Sequence, residues 1–328
     1  QSLFLSAQNV VQPSAAIANQ KQEKANINYG GVEVSAKLLR TPNPYVTATS
    51  QAADPNEEII GESEYDLQSN SSVQNRIVNH GDGTISAVWT FGASNASPSF
   101  PGRGTGYNYF DGSDWATFSN QRIESKRTGW PSVDYSSSAG EVVVSHLFME
   151  NPIKSSRSTK GSGTWNEVEF TDVPSTSWPR MVIGGQNGNT LHQIAITLPD
   201  GNGGTPYQGQ DGALLYSRST DGGQSWDIEN QAFTDLDSSN YTGFSADAYA
   251  MAKPKGDTVA FVIGDNFQDV VLMKSTDNGQ NWTKTVIQQF PYPLFDETST
   301  LVLDTPMSCD GSLAITLDND GDAHVFFG

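Results

Sequence analysis

A motif of eight residues occurs twice in this chain and constrains its fold more than any other feature. Residues 219–226 read S-T-D-G-G-Q-S-W, and residues 275–282 read S-T-D-N-G-Q-N-W. Each copy follows a short apolar run, at 213–217 or 270–273, and precedes another extended stretch. In such a segment the Asp carboxylate accepts hydrogen bonds from backbone N–H groups, the Gly permits a positive φ, and the Trp buries a large ring. The motif therefore predicts a tight turn between two strands.

Two weaker copies extend the pattern towards the N-terminus. Residues 158–165 read S-T-K-G-S-G-T-W, with Lys160 in place of the Asp, and residues 111–115 read D-G-S-D-W. The four tryptophans fall at positions 115, 165, 226 and 282, so the repeat is roughly 50–60 residues long. A period of this length is typical of propeller-type repeats.

A second turn recurs between the copies of the motif. It starts with Gly and a polar residue and opens an apolar strand, at 83–89, 140–144, 188–191, 256–261 and 321–326. Before each turn lies another strand candidate, at 76–78, 132–135, 181–183, 248–252 and 313–317. Each repeat thus contains strand A, a Gly turn, strand B, a connection, strand C, the Asp turn and strand D. Short strands between turns, without helical periodicity, predict an all-β fold, and four-stranded units in radial repetition form a β-propeller.

These repeats resemble the Asp-box (BNR-type) repeats of sialidase-like β-propellers, over roughly residues 72–328. The resemblance predicts a β-propeller of four-stranded antiparallel blades, with four full blades and a partial one visible. The last unit stops after strand B, which would leave an unpaired edge, so we expect six or seven blades in a longer parent protein. Alternatively, the strand-like stretch 28–40 closes the ring. Residues 1–70 are predicted to be an N-terminal arm or linker, and residues 71–328 the propeller.

The composition limits the partners of this chain. Its net charge of −19 argues against binding to nucleic acid or to anionic membrane surfaces, and no apolar run is long enough to insert into a membrane. The single cysteine, Cys309, excludes an intrachain disulfide.

The same composition predicts a secreted or cell-surface protein. Charged residues make up 17% of the chain, against about 25% in typical domains, so uncharged polar residues must cover the surface, as in many extracellular β proteins. The N-terminus has no basic, apolar leader, so we expect a signal peptide to have been removed. The chain also resembles surface proteins exported by the type IX secretion route, in which a C-terminal sorting domain often follows.

The resemblance also assigns roles to the two ends of the repeats. In this family the A–B and C–D turns lie on one face, and the D–A and B–C connections form the other, functional face, which we call the loop face. Trp130 and Trp178 each enter strand A from a D–A connection, and each is followed by Pro and lies ten residues before the Gly of the next turn. This shared Trp-Pro register indicates equivalent repeat positions; the two residues are candidate platforms for sugar rings, or else they pack between blades. The candidate ligand-binding residues of the loop face are Arg103, Arg122, Trp130, Trp178, Tyr207, Tyr241, Tyr292, Asp296 and Glu297.

A sialidase-like catalytic site can be assembled only in part. The resemblance implies three arginines around a carboxylate, a Tyr activated by a Glu, and an acid/base Asp. Arg76 and Arg180 begin the first and third strand A, but no motif marks a third arginine or a Tyr/Glu pair. We therefore predict a binding module that recognises a glycan or a surface protein. The alternatives are a glycoside hydrolase or lyase that uses loop-face carboxylates and tyrosines, and a structural subunit of a larger surface assembly.

One turn has the composition of a calcium site. Residues 318–322 read D-N-D-G-D, and the oxygen ligands of Asp318, Asp320 and Asp322 suit calcium. The alternative is a solvated hairpin turn. No other cofactor is predicted, because the sequence contains no Gly-rich phosphate loop and no Cys/His cluster.

Overall fold

A computed structural model of the chain describes residues 57–73, 75–93, 100–147, 150–170, 174–296, 299–302 and 306–328. Residues 58–328 form one compact unit. The described residues of this unit form five antiparallel sheets and two single turns of 3-10 helix, at Asp200–Asn202 and Thr234–Leu236. In the described part of the chain, no helix has the length and apolar character that a membrane span requires.

The strands follow one another in chain order within every sheet. They are β1 (Ile77–Asn79), β2 (Ile85–Phe91), β3 (Gly104–Phe110), β4 (Thr128–Ser136), β5 (Gly140–Leu147), β6 (Ile153–Arg157), β7 (Asn166–Glu169), β8 (Thr176–Gly184), β9 (Thr190–Thr197), β10 (Leu214–Ser219), β11 (Ile228–Ala232), β12 (Tyr249–Met251), β13 (Val259–Ile263), β14 (Val270–Ser275), β15 (Thr283–Gln288), β16 (Leu313–Leu317) and β17 (Ala323–Phe327). Sheet 1 contains β1–β3, sheet 2 β4–β7, sheet 3 β8–β11, sheet 4 β12–β15 and sheet 5 β16–β17.

The predicted all-β architecture of four-stranded antiparallel units is confirmed in sheets 2, 3 and 4. The strand A candidates 132–135 and 181–183 lie inside β4 and β8, and the candidate 313–317 coincides with β16. Sheet 5 contains two strands, as the partial last unit predicts. The number of blades in a parent protein stays a prediction, and the stretch 28–40 lies outside the described residues.

The prediction of a fourth strand in the first unit was wrong, since the described residues of sheet 1 form three strands. After the turn at 111–115, Ala116 donates its N–H to the carbonyl of Tyr109 (2.9 Å) and Ile123 donates its N–H to that of Thr105 (3.0 Å), but these bonds do not form a continuous ladder. Farther along β3, the backbone N–H of Thr105 is bonded to the carboxylate of Glu124 (2.9 Å). A side chain therefore takes a ladder position that a fourth strand would have used.

The tight turns predicted from the repeated motif are confirmed at both full copies. Asp277 Oδ1 accepts the N–H groups of Gln280 (3.1 Å) and Asn281 (2.9 Å), and these bonds help to lower the pKa of Asp277 to about 2. Gly279 has φ 80°, and a Cβ at this position would lie 1.9 Å from the Tyr216 hydroxyl. Only glycine therefore fits the turn against the core.

The degenerate turn at 158–165 is held by different chemistry. Lys160, which replaces the Asp, forms an ion pair with Asp82. The guanidinium of Arg157 lies 4.3 Å from the ring centres of both Tyr107 and Trp165, and it donates to the buried carboxylate of Glu141 (2.7 Å). Contacts of Lys160 with Asp82, and of Arg157 with Glu141 and two adjoining rings, thus take the place of the Asp carboxylate in this turn.

Neighbouring sheets share apolar cores in chain order. Valines join sheets 1 and 2, Met181 and Leu191 meet the valines of β5 between sheets 2 and 3, and an aromatic-rich core joins sheets 3 and 4. Leu313 and Leu317 pack sheet 5 against sheet 4. Ser72 precedes the first strand of sheet 1, and Gly311 precedes the first strand of sheet 5. The Ser72 hydroxyl donates to the carbonyl of Gly311 (3.3 Å).

Candidate functional site

Charged and aromatic side chains from three sheets meet at the loop face. Arg76 and Arg103 precede β1 and β3, Trp130 and His146 belong to β4 and β5, and Trp178 and Arg180 belong to β8. We call these six residues the arginine–tryptophan cluster.

The two tryptophans occupy equivalent irregularities in sheets 2 and 3. Trp130 and Trp178 have φ angles of 47° and 52°, and the register of each strand shifts at these residues. The His146 ring lies between them, edge-on to Trp130 (centroids 5.6 Å apart) and stacked on Trp178 (5.2 Å). A left-handed conformation costs a non-glycine residue roughly 1–2 kcal/mol, so the surrounding packing must hold both bulges. The shared Trp-Pro register that the sequence indicated is a real structural equivalence.

His146 is a neutral hydrogen-bond donor in this cluster. Its Nδ1 accepts the backbone N–H of Trp178 (3.3 Å) and contacts the Ser177 hydroxyl (2.5 Å), which places the ring proton on Nε2. Burial, followed by the charges of Arg103, Arg127 and Arg180, lowers the pKa of His146 to about 3. Among the described residues, none accepts a hydrogen bond from Nε2.

Arg103, one of the predicted ligand-binding residues, is almost fully buried, with 5% of its surface exposed. Its Nε donates to the carbonyl of Thr128 (2.8 Å) and its Nη1 to the Tyr65 hydroxyl (3.3 Å). The guanidinium carbon lies 4.6 Å from the Trp130 ring centre and 5.2 Å from that of Tyr65. Within the described ranges no carboxylate forms an ion pair with Arg103. Burial, followed by the charge of Arg127, lowers its pKa.

Arg76 and Arg180, the pair expected from their positions at the start of strand A, lie close together. Arg180 Nη2 contacts Asp247 Oδ1 at 2.6 Å, and both side chains are almost fully buried. Burial, followed by the charge of Arg180, lowers the pKa of Arg76 to about 10, and Asp247 offsets part of that effect. The third arginine of the cluster is Arg103. Sequence reasoning named it as a loop residue but could not group it with the other two, because no motif marks it.

Of the other predicted ligand-binding residues, Arg122 contacts the cluster and Tyr207 makes hydrogen bonds within its own loop. Arg122 donates to the carbonyls of Glu124, Ser125 and Arg103 (3.0, 2.7 and 3.2 Å), so it braces the loops next to Arg103. Tyr207 pairs with Gln210 through two backbone hydrogen bonds.

Three further predicted residues lie on or near the segments around sheet 4. Tyr241 and Tyr292 line a separate aromatic pocket. The carbonyl of Asp296 accepts the N–H of Thr300 (2.8 Å), and the N–H of Asp296 donates to the Thr300 hydroxyl (2.9 Å). Glu297 lies outside the described residues.

A tyrosine–glutamate pair is present at the opposite end of the sheets. The Tyr107 hydroxyl donates to Glu141 (2.6 Å), next to the A–B turn that begins β5 at Gly140. Burial and the charge of Glu141 raise the pKa of Tyr107. This pair belongs to the turn end and cannot act together with the loop-face arginines.

In the acidic turn at 318–322, the first carboxylate is hydrogen-bonded to other residues of the same hairpin. Asp318 Oδ1 accepts the N–H groups of Asp320 and Asp322, both at 2.9 Å, and Oδ2 lies 3.0 Å from His324 Nε2. In the part of the chain that the structure describes, no three His, Cys, Asp or Glu side chains are grouped to hold a metal ion. Calcium binding by this turn stays a prediction.

Two buried histidines should make the protein less stable in mild acid. Burial is the main cause that lowers the pKa values of His146 and His192 from 6.5 to about 3. The unfolded chain therefore binds these protons near pH 6.5, whereas the folded protein does not until about pH 3. The contribution of these two neutral histidines to the free energy of unfolding is therefore complete above pH 6.5 and is lost as the pH falls towards 3.

Urea unfolding at about pH 7 and about pH 5 would measure this effect, because most carboxylates stay ionised in that interval. We expect a lower free energy of unfolding at the lower pH. The difference should shrink in a variant that carries both His146→Gln and His192→Gln. Equal wild-type values at the two pH values would contradict the assignment.

Comparisons with known proteins give only distant likenesses. No protein-family model and no curated protein sequence matches the chain. Its structure is similar to the catalytic domain of the Coprinopsis cinerea family GH62 α-L-arabinofuranosidase (TM-score 0.46, 10% identity, 82% of this chain and 87% of that chain). It is also similar to an ulvan lyase of family PL25 (0.46, 10%, 80% and 66%) and to the Trypanosoma rangeli sialidase (0.42, 17%, 64% and 37%). Likenesses at this level carry no correspondence between site residues.

Proposed function

We propose that this protein acts on an acidic glycan, as a glycoside hydrolase or a polysaccharide lyase, at the arginine–tryptophan cluster. One observation carries the proposal: Arg76, Arg103 and Arg180 gather at the loop face of a chain whose net charge is −19. Cations that are buried near one another raise each other's free energy, so an anion bound among them is favourable.

The cluster has the chemistry to hold a carboxylate or sulfate group of a sugar. Such a group offers only acceptor oxygens, and Arg103 and the Nε2 proton of His146 supply donors. The indole rings of Trp130 and Trp178 offer apolar faces for a pyranose ring. In a lyase, neutralising a uronate carboxylate makes the adjacent C–H more acidic; in a hydrolase, the same contact orients the sugar for attack.

The proposal includes the arrangement of the sheets and the location of the protein. We infer that sheets 1–5 stand around a common axis as propeller blades, with the contact between Ser72 and Gly311 bringing the first and last sheets together. The loop-face cluster then lies at one end of that axis. We also propose that the protein is exported and meets its glycan outside the cell or at the cell surface, in keeping with its acidic composition and its low fraction of charged residues.

Incubation with acidic polysaccharides tests the enzymatic part of the proposal. Polyuronates and sulfated glycans would be compared with neutral polysaccharides, and new reducing ends and unsaturated uronate products would be measured. We expect cleavage of an acidic substrate only. If every acidic polysaccharide stays intact, the protein is not an enzyme of this class.

A binding module that recognises an acidic glycan is the second candidate. It is favoured because the ionisable groups beside the cluster are already engaged. The Tyr249 hydroxyl donates to the carbonyl of Trp178 (2.6 Å), and burial raises its pKa, while Asp247 is bound to Arg180. Affinity electrophoresis in acidic polysaccharides separates the two candidates: retardation without cleavage identifies the module.

A further inference from the structure

A second group of aromatic side chains lies at the loop end of sheet 4. The connection between β13 and β14 supplies Phe267 and Gln268, and the segment after β15 supplies Phe290, Tyr292 and Phe295. We call these five residues the sheet 4 aromatic pocket.

The pocket presents a flat aromatic surface to solvent. The rings of Phe267 and Phe295 are nearly parallel (16°), with centroids 4.7 Å apart, and Phe290 meets both rings edge-on. Phe267 nevertheless remains 43% exposed, and the neighbouring Leu294 is 46% exposed. An aromatic face that is fixed by its neighbours and open to solvent is suited to stacking against a ligand.

Gln268 and Asp269 bring two acceptor groups to the pocket. The amide nitrogen of Gln268 donates to the carbonyl of Gly243, while its oxygen Oε1 is buried and receives no hydrogen bond. The carboxylate of Asp269 accepts the Tyr241 hydroxyl (3.1 Å) and the N–H of Phe290 (2.8 Å). No Lys or Arg lines the pocket within the described residues. This is the reverse of the arginine–tryptophan cluster, which offers donors and positive charge.

We propose that the sheet 4 aromatic pocket is a second glycan site, which binds a neutral sugar. The apolar face of the pyranose stacks on Phe267, and one of its hydroxyls donates to Gln268 Oε1. The negative charge of Asp269 disfavours an acidic sugar at this position. The pocket lies at the same ends of the strands as the arginine–tryptophan cluster. The proposal goes beyond the function proposed above and does not depend on it.

Titration of the full chain with neutral oligosaccharides tests this site. Cellohexaose, xylohexaose, mannohexaose and galactohexaose would be added separately and followed by calorimetry. We expect at least one to bind, and Phe267→Ala to weaken that binding at least about tenfold, whereas Phe267→Tyr should retain it. Phe326→Ala is the matched control, because Phe326 is an exposed phenylalanine on sheet 5 (65% exposed).

The outcomes also separate this site from the cluster. Arg103→Met should leave binding of the neutral oligosaccharide unchanged, although it weakens binding of acidic glycans. Failure of all four oligosaccharides to bind, or equal affinity in Phe267→Ala and wild type, would overturn the proposal. If the wild-type protein is a dimer that dissociates on the change Phe267→Ala, and no sugar binds, the sheet 4 aromatic pocket serves self-association instead.

Discussion

Replacing Arg103 by Met should weaken binding of an acidic glycan by about 100-fold, or about 2.8 kcal/mol. Arg103 is 5% exposed and has no carboxylate partner in the described part of the chain, so its charge is available to a ligand. Loss of one partner from a desolvated charge pair typically costs 2–5 kcal/mol. Met keeps much of the apolar volume between Tyr65 and Trp130, so the fold should survive the change.

Lys126→Met is the matched control for this variant. It also removes one positive charge, from the segment just before β4, but Lys126 is exposed and forms an ion pair with Glu169 (2.7 Å). Isothermal titration with the acidic glycan should show wild-type affinity for Lys126→Met and a large loss for Arg103→Met. Equal losses in the two variants would mean that the net charge of the chain, and not a built site, governs binding.

Replacing Trp282 by Ala should destabilise the protein by roughly 3–5 kcal/mol. The indole packs against Tyr216, Phe233 and Phe261, with ring centroids 5.1–5.4 Å away, and so covers the core shared by sheets 3 and 4. Its removal leaves a cavity beside three aromatic rings. Urea unfolding monitored by circular dichroism would measure the change in the free energy of unfolding.

Trp115→Ala provides the comparison within the same chain. Trp115 occupies the corresponding position in the shortened turn but meets a single ring, Phe110, at 5.6 Å. We expect a loss near 1 kcal/mol, typical of a substitution outside a packed core. If Trp115→Ala were as destabilising as Trp282→Ala, the turn motif itself, and not the packing under it, would set the stability.

The strands and turns could be predicted from the sequence because their signals are local. An Asp whose carboxylate binds the next amides, a Gly at positive φ and a Trp at a fixed distance all act within eight residues, and both full copies form the expected turn. The prediction failed in sheet 1, where the carboxylate of Glu124 takes the N–H of Thr105. When a side chain from a distant residue takes the place of a backbone hydrogen-bond partner, the sequence carries no periodic signal of it.

The candidate site could be predicted only in pieces. Arg76 and Arg180 were recognised from their repeat positions, and Trp130 and Trp178 from their shared Trp-Pro register. The meeting of these residues depends on how neighbouring sheets pack, which no local pattern encodes. His146 was missed as a donor, because its role follows from burial and from the N–H of Trp178 bound to Nδ1. Gln268 was missed for the same reason, since its unpartnered oxygen is a property of the folded loop.

A crystal structure of the protein with the acidic oligosaccharide that binds most tightly would test the central claim most directly. The account predicts that the carboxylate or sulfate of the sugar lies within hydrogen-bonding distance of Arg103, with a pyranose ring against Trp130 or Trp178. An acidic group bound elsewhere, with Arg103 untouched by the ligand, would contradict it.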